Sequence, residues 1–136
     1  LLPLVEAANV QDKKQIEDDL RDLINRFRHG NEFGSLINFN RELDWDDLDK
    51  VANAPVISEQ ADLFTDVPAY KGKLRELIKA GKILAAAYET VVTNPPYMGS
   101  SKMSANLKKF VNDNYTDYNG DLFSVFIYRD LNWLST

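Results

Sequence analysis

The sequence predicts a helix-rich piece of an α/β sandwich. Three observations carry this: several stretches repeat apolar residues at helical spacing, one β-branched run is cut off by two prolines, and the last stretch is apolar on nearly every face. The 136 residues, 44% hydrophobic and 27% charged, suffice for one core. The expected division is a helical segment over 1–56 and a segment over 57–136 that carries the prolines.

The first helix is expected over about Val10 to Arg28, where Ile16, Leu20, Leu23, Ile24 and Phe27 share a face, closed by Gly30 and Gly34. A short helix is expected over Trp45 to Val51, so Asp44, Asp46, Asp47 and Asp49 read as an acidic helix start. They lack the loop spacing and central glycine of a calcium site. Thr65 or Asp66 is placed to cap a helix over Val67 to Ala80, with Pro68 in its first turn, Leu74, Leu77 and Ile78 inward, and Gly81 just past its end. Val91, Val92 and Thr93 predict a central strand over Glu89 to Thr93, ended by Asn94-Pro95-Pro96. A helix follows over Ser104 to Asn112. The last begins at Asp121 and is expected to be buried between layers.

Charge and composition exclude several classes. With no cysteine there is no disulfide framework and no thiolate metal site, and His29, the single histidine, leaves no histidine pair or triad within the chain. No apolar run reaches the ~20 residues that span a bilayer, so a cytoplasmic protein is expected. The net charge of −5 argues against a nonspecific nucleic-acid binder as a whole. The charge is uneven, however. Between Lys71 and Phe110 eight basic residues face only Glu76 and Glu89, and this basic part surrounds the prolines. A solvated helix face explains much of it.

The run Asn94-Pro95-Pro96-Tyr97 has a chemical reading of its own. Two prolines lock φ and remove two backbone donors, leaving a stiff loop whose carbonyls are available to a ligand. The Asn94 side-chain oxygen and the Pro95 carbonyl suit a group that donates two hydrogens from one nitrogen, such as the exocyclic amine of a base. Tyr97 supplies a flat face, and stacking on an aromatic side chain contributes ~1–3 kcal/mol per base. Two acceptors on such an amine favour a pyramidal nitrogen and stabilise the positive charge that grows as it attacks a methyl group. The alternative is a strand-ending turn with an incidental tyrosine.

KILAAAYETVVTNPPYMG, KMSANLKKFVNDNY and DLFSVFIYRD, with HGNEFGSLINF upstream, resemble the amino-DNA methyltransferases. The likeness is to the large adenine-N6 methylases of phage defence (BREX, phage growth limitation) and to related single-chain restriction–modification enzymes. It spans roughly residues 10–130 and implies a partial Rossmann-like fold, S-adenosylmethionine as donor and double-stranded DNA with a flipped adenine as substrate, with other defence subunits as partners. It carries over Asn94, Pro95 and Tyr97 as catalytic target-base residues, and Asp121 beside substrate, where the other reading is a helix N-cap. Pro96, Ser100, Ser101 and Lys102 are expected at the substrate too, the last three on backbone phosphate in a loop poorly ordered or displaced by packing without DNA. The family's glycine-rich cofactor turn has no counterpart among the six glycines. The chain is therefore expected to be the middle of a catalytic domain, inactive alone and weak in cofactor binding. An RNA or protein-glutamine methylase with the same run, or a binding module that keeps the fold, are the other readings.

Overall fold

The computed structural model describes residues 2–55 and 67–134. Its helices are α1 (Leu2–Ala7), α2 (Lys13–Arg26), α3 (Gly30–Phe33), α4 (Trp45–Asn53), α5 (Val67–Ala85), α6 (Ala105–Asn114) and α7 (Leu122–Trp133). Short 3-10 turns lie at Phe27–His29, Gly34–Leu36, Ser100–Lys102 and Thr116–Tyr118. The chain packs as two compact units, one of residues 1–28 and 39–84, the other of 29–38 and 85–136. The expected division after residue 56, and the capping expected from Thr65 or Asp66, fall outside the described residues.

In the first unit the apolar periodicity produces the packing it implies. Ile16, Leu20 and Leu23 of α2, Leu48 and Val51 of α4 and Leu74 and Ile78 of α5 are at most 2% exposed and share one core with Val5. Each such side chain contributes ~1.5–3 kcal/mol on burial. Asp12 caps α2 by accepting from the Gln15 backbone N–H at 3.0 Å. Asp44 caps α4 through the Asp47 N–H at 2.9 Å, with Asp46 and Asp47 in the first turn, so the acidic run is a helix start. Asp19 is fully buried, and its carboxylate takes the Asp44 N–H at 2.9 Å and Gln15 Nε2 at 2.8 Å while pairing with Arg41. That tether fixes where α4 starts.

The basic face of α5 is in large part structural. Lys71, 5% exposed, donates to the Ala54 carbonyl, and burial pulls its pKa down, with Arg75 nearby adding to the effect. Arg75 Nε donates to Asn53 Oδ1 at 2.9 Å, and Lys82 pairs with Asp49. Three cations thus hold the end of α4.

Gly81 lies inside α5, which runs on to Ala85. A Cβ there would come within 2.8 Å of Trp45 Cη2 and Cζ3 and 3.0 Å of Leu23 Cδ1. The glycine therefore admits an indole rather than ending a helix. Gly81→Ala gains ~1 kcal/mol of helix propensity but costs ~1–3 kcal/mol in overpacking. Urea denaturation is expected to show net destabilisation of about 1 kcal/mol, and a stabilised variant would mean that Trp45 moves aside freely.

The second unit gathers Leu36, Met103, Leu107, Val111, Tyr115, Leu122 and Val125 around one core. Ser104 caps α6 and Asp121 caps α7, accepting from Leu107 N–H at 3.1 Å and Ser124 N–H at 2.8 Å. The 29–38 segment joins this unit through three fastenings. Phe33 stacks on Phe110 with centroids 4.1 Å apart, Tyr115 Oη donates to the Leu36 carbonyl at 2.6 Å, and Arg129 donates to the carbonyls of Ser35 at 3.3 Å and Ile37 at 2.8 Å. Burial pushes the Tyr115 hydroxyl up to about 12, so it remains a donor across the neutral range. Gly34, expected to close a helix, has φ of 53°, the one positive φ among the described residues and a conformation L side chains rarely adopt.

Two expectations fail here. Among the described residues no strand forms, and Glu89 to Thr93 is irregular, with Val92 91% exposed. The β-bridging pairs are Tyr88 with Leu134 and Gly99 with Asp121. A strand needs a ladder partner along its length, and no described residue bridges to Val91, Val92 or Thr93. Nor is α7 buried all round. Leu122, Val125 and Arg129 are inside, whereas Phe123, Ile127 and Leu131 form an exposed stripe at i, i+4 and i+8.

Candidate functional site

Asn94, Pro96 and Tyr97 are exposed and Pro95 is half-buried, all without regular structure. Tyr97 is the extreme case, with 87% of its surface open. The loop is anchored immediately after it. Leu122 N–H donates to the Met98 carbonyl at 2.9 Å and Ser100 N–H to the Gly120 carbonyl at 3.0 Å, so Met98 to Ser100 run antiparallel to Gly120 to Leu122. Gly99 and Asp121 form the pair between these two bonds. Met98 also packs into the second unit's core, which fixes the loop from below.

This clamp pairs Asp121 with Gly99, two residues past Tyr97. The Asp121 carboxylate is engaged by α7, with Oδ1 on the Ser124 N–H and Oδ2 3.4 Å from Ser124 Oγ. Ser100 to Lys102 form a 3-10 turn closed by Lys102 N–H on the Gly99 carbonyl at 2.9 Å. Ser101 and Lys102 are exposed on that turn, and Lys108 and Lys109 are exposed on α6.

Phe123 is a site residue that reading the sequence missed. Its ring lies nearly parallel to that of Tyr97, at 12° with centroids 6.1 Å apart. As one more apolar residue of an apolar helix it gave no local signal. A cavity of about 490 Å³ lies elsewhere in the chain, lined by Gln15, Asp19, Glu42 to Asp46 of the first unit and by none of the residues above. Among the described residues no group of histidine, aspartate and glutamate has the arrangement of a metal site. Among the described residues no helix is long and apolar enough to cross a membrane.

Comparison with known proteins gives the chemistry a family. Residues 5–136 match the Eco57I restriction-modification methylase family. The chain is 40% identical over 133 residues to the adenine-specific methyltransferase PglX of Lacticaseibacillus casei (strain Zhang), covering 94% of this chain and 11% of that protein. It is 44% identical over 50 residues to the adenine-specific methyltransferase BrxX of Escherichia coli O9:H4 (strain HS), covering 37% of this chain and 4% of that protein. No solved structure matches. The chain thus spans about a tenth or less of the length of these curated relatives. An exposed Asn-Pro-Pro-Tyr loop clamped to a capped helix, within a match that runs over nearly the whole chain, places this protein in the Eco57I restriction-modification methylase family.

Proposed function

We propose that this chain is part of the catalytic domain of a DNA adenine-N6 methyltransferase, and that Asn94, Pro95 and Tyr97 hold the target base. The observation that carries the reading is the exposed, clamped Asn94–Tyr97 loop, with an amide oxygen, a proline carbonyl and an open aromatic face on one short rigid segment. The 40% identity to an adenine-specific methyltransferase supports adenine over other amines. A base inside a duplex cannot reach this loop, so the adenine is flipped out, its ring against Tyr97 and its amine hydrogens on Asn94 Oδ1 and the Pro95 carbonyl. Those two bonds turn the nitrogen lone pair out of the ring plane. They also stabilise the positive charge that develops as the nitrogen gains a methyl group. Pro96 keeps the acceptors in place. Asp121, fixed by its cap across from Gly99, completes the substrate side.

S-adenosylmethionine supplies the methyl group. A glycine-rich turn of the kind that cradles it has no counterpart among the six glycines of the chain. Its binding is assigned to sequence outside this chain, in a Rossmann-like domain of the complete protein, to which residues 57–136 contribute and 1–56 are the preceding segment. The names of the relatives, PglX and BrxX, support a role in phage defence, and the reading proposes other defence subunits as partners and DNA in the cytoplasm as substrate. Comparing adenine methylation across the genomes of cells with and without the gene tests the reading. Loss of N6-methyladenine at one sequence motif is expected, and identical methylomes would refute it.

Ser100, Ser101 and Lys102 are proposed to hold a phosphate beside the flipped base. In the complete protein, Lys102→Ala is expected to weaken DNA binding equally at all sequences and to reduce the salt slope by about one counterion. An unchanged slope would leave Lys102 as surface charge.

A further inference from the structure

We infer that Phe123 is a positioning residue for Tyr97, the plate against which the stacking ring is set before a base arrives. The inference rests on the reading that Tyr97 stacks on the target base. Prolines 95 and 96 stiffen the backbone before Tyr97, but they do nothing to its side-chain torsions, and the ring is 87% exposed. An exposed tyrosine ring samples several rotamers on the nanosecond scale. The ring partner that the structure records for it is Phe123.

The geometry follows from the clamp. Gly99 pairs with Asp121, and the backbone bonds run from residue 100 to 120 and from 122 to 98. Tyr97 directly precedes this bonded stretch and Phe123, already in the first turn of α7, directly follows it, and there the two rings lie 12° from parallel at 6.1 Å. Phe123 is itself held, because it sits in the first turn of α7 directly after the Asp121 cap, and Leu122 beside it is 3% exposed. A capped helix end therefore presents one ring to a mobile one. Phe123 is 43% exposed, far more than core packing would leave it. Fixing Tyr97 in advance removes part of the ordering cost when a base stacks on it.

The test uses the complete methylase, S-adenosylmethionine and genomic DNA from cells lacking the gene. An aromatic pair of this kind corresponds to about a three- to tenfold change in rate. Phe123→Ala is expected to lower kcat/KM for DNA by that factor and to leave the KM for S-adenosylmethionine unchanged, and Phe123→Tyr is expected to restore it. Because Phe123 acts through Tyr97, the Tyr97→Ala/Phe123→Ala double variant is expected to be no slower than Tyr97→Ala alone. Additive losses, a raised KM for S-adenosylmethionine, or Phe123→Ala at wild-type rate while Tyr97→Ala is impaired would overturn the inference and leave the reading of Tyr97 standing. Tyr97→Ala at wild-type rate would overturn both.

Discussion

Replacing Asn94 by alanine in the complete protein is expected to lower methyl transfer to adenine about 10²- to 10³-fold while leaving DNA affinity within about twofold. The size follows from the role proposed for the side chain. One of two acceptors proposed to hold the amine disappears, and with it the dipole that would meet the charge developing on nitrogen. The Pro95 carbonyl remains but would not by itself pyramidalise the amine. Affinity is expected to be spared because the proposed role puts Asn94 on one base, whereas binding energy on DNA comes chiefly from many phosphate contacts. Asn94 is exposed, so its loss leaves the fold unharmed. Equal losses in kcat and in DNA binding would show that Asn94 anchors the loop instead of acting on the amine.

The largest effect on stability is expected from Arg129→Ala, which should destabilise the second unit by roughly 3–5 kcal/mol, read by urea denaturation. Arg129 is 6% exposed, with Nε on the Ser35 carbonyl, Nη2 on the Ile37 carbonyl and its guanidinium 4.2 Å from the centroid of the Trp133 ring. Burial pulls its pKa below the ordinary arginine value, with the nearby Tyr115 opposing the shift. Truncation takes the donors from two carbonyls of the 29–38 segment, Ile37 being 1% exposed, and leaves a void beside an indole. Arg129→Lys keeps the charge but not the two-pronged geometry, so an intermediate loss is expected. A cost under about 1 kcal/mol for alanine would mean that water reaches both carbonyls.

That segment shows what the sequence contained and what it did not. The helices α2, α4, α6 and α7 were legible because their signals are local: apolar residues three and four apart, and caps at Asp44, Ser104 and Asp121. The joining of 29–38 to α6 and α7 was not, since it depends on Arg129 and Tyr115 finding carbonyls more than seventy residues away. Gly81 misled for the same reason, its neighbour Trp45 lying in another helix. The β-branched run at Val91 to Thr93 expressed a real preference, but strand formation is a property of pairs of segments, and the described residues supply no partner. The exposed Phe123–Ile127–Leu131 stripe follows the same logic, apolar residues whose cover is absent from the described residues. Asn94, Pro95 and Tyr97 could be proposed from the sequence because two prolines define the loop by themselves. Phe123 was hidden because only the pairing of Gly99 with Asp121 brings the start of α7 beside Tyr97.

The central claim is that the Asn94–Tyr97 loop presents its acceptors to the amine of adenine in DNA. Incubating the complete protein with S-adenosylmethionine carrying a labelled methyl group and with genomic DNA from cells lacking the gene, then hydrolysing the DNA and separating its nucleosides, measures this directly. Label in N6-methyladenine is expected, accumulating about 10²- to 10³-fold more slowly when Asn94 is alanine. Label in N4-methylcytosine, in RNA or in a glutamine side chain, or label in adenine that accumulates at the wild-type rate without Asn94, would contradict this.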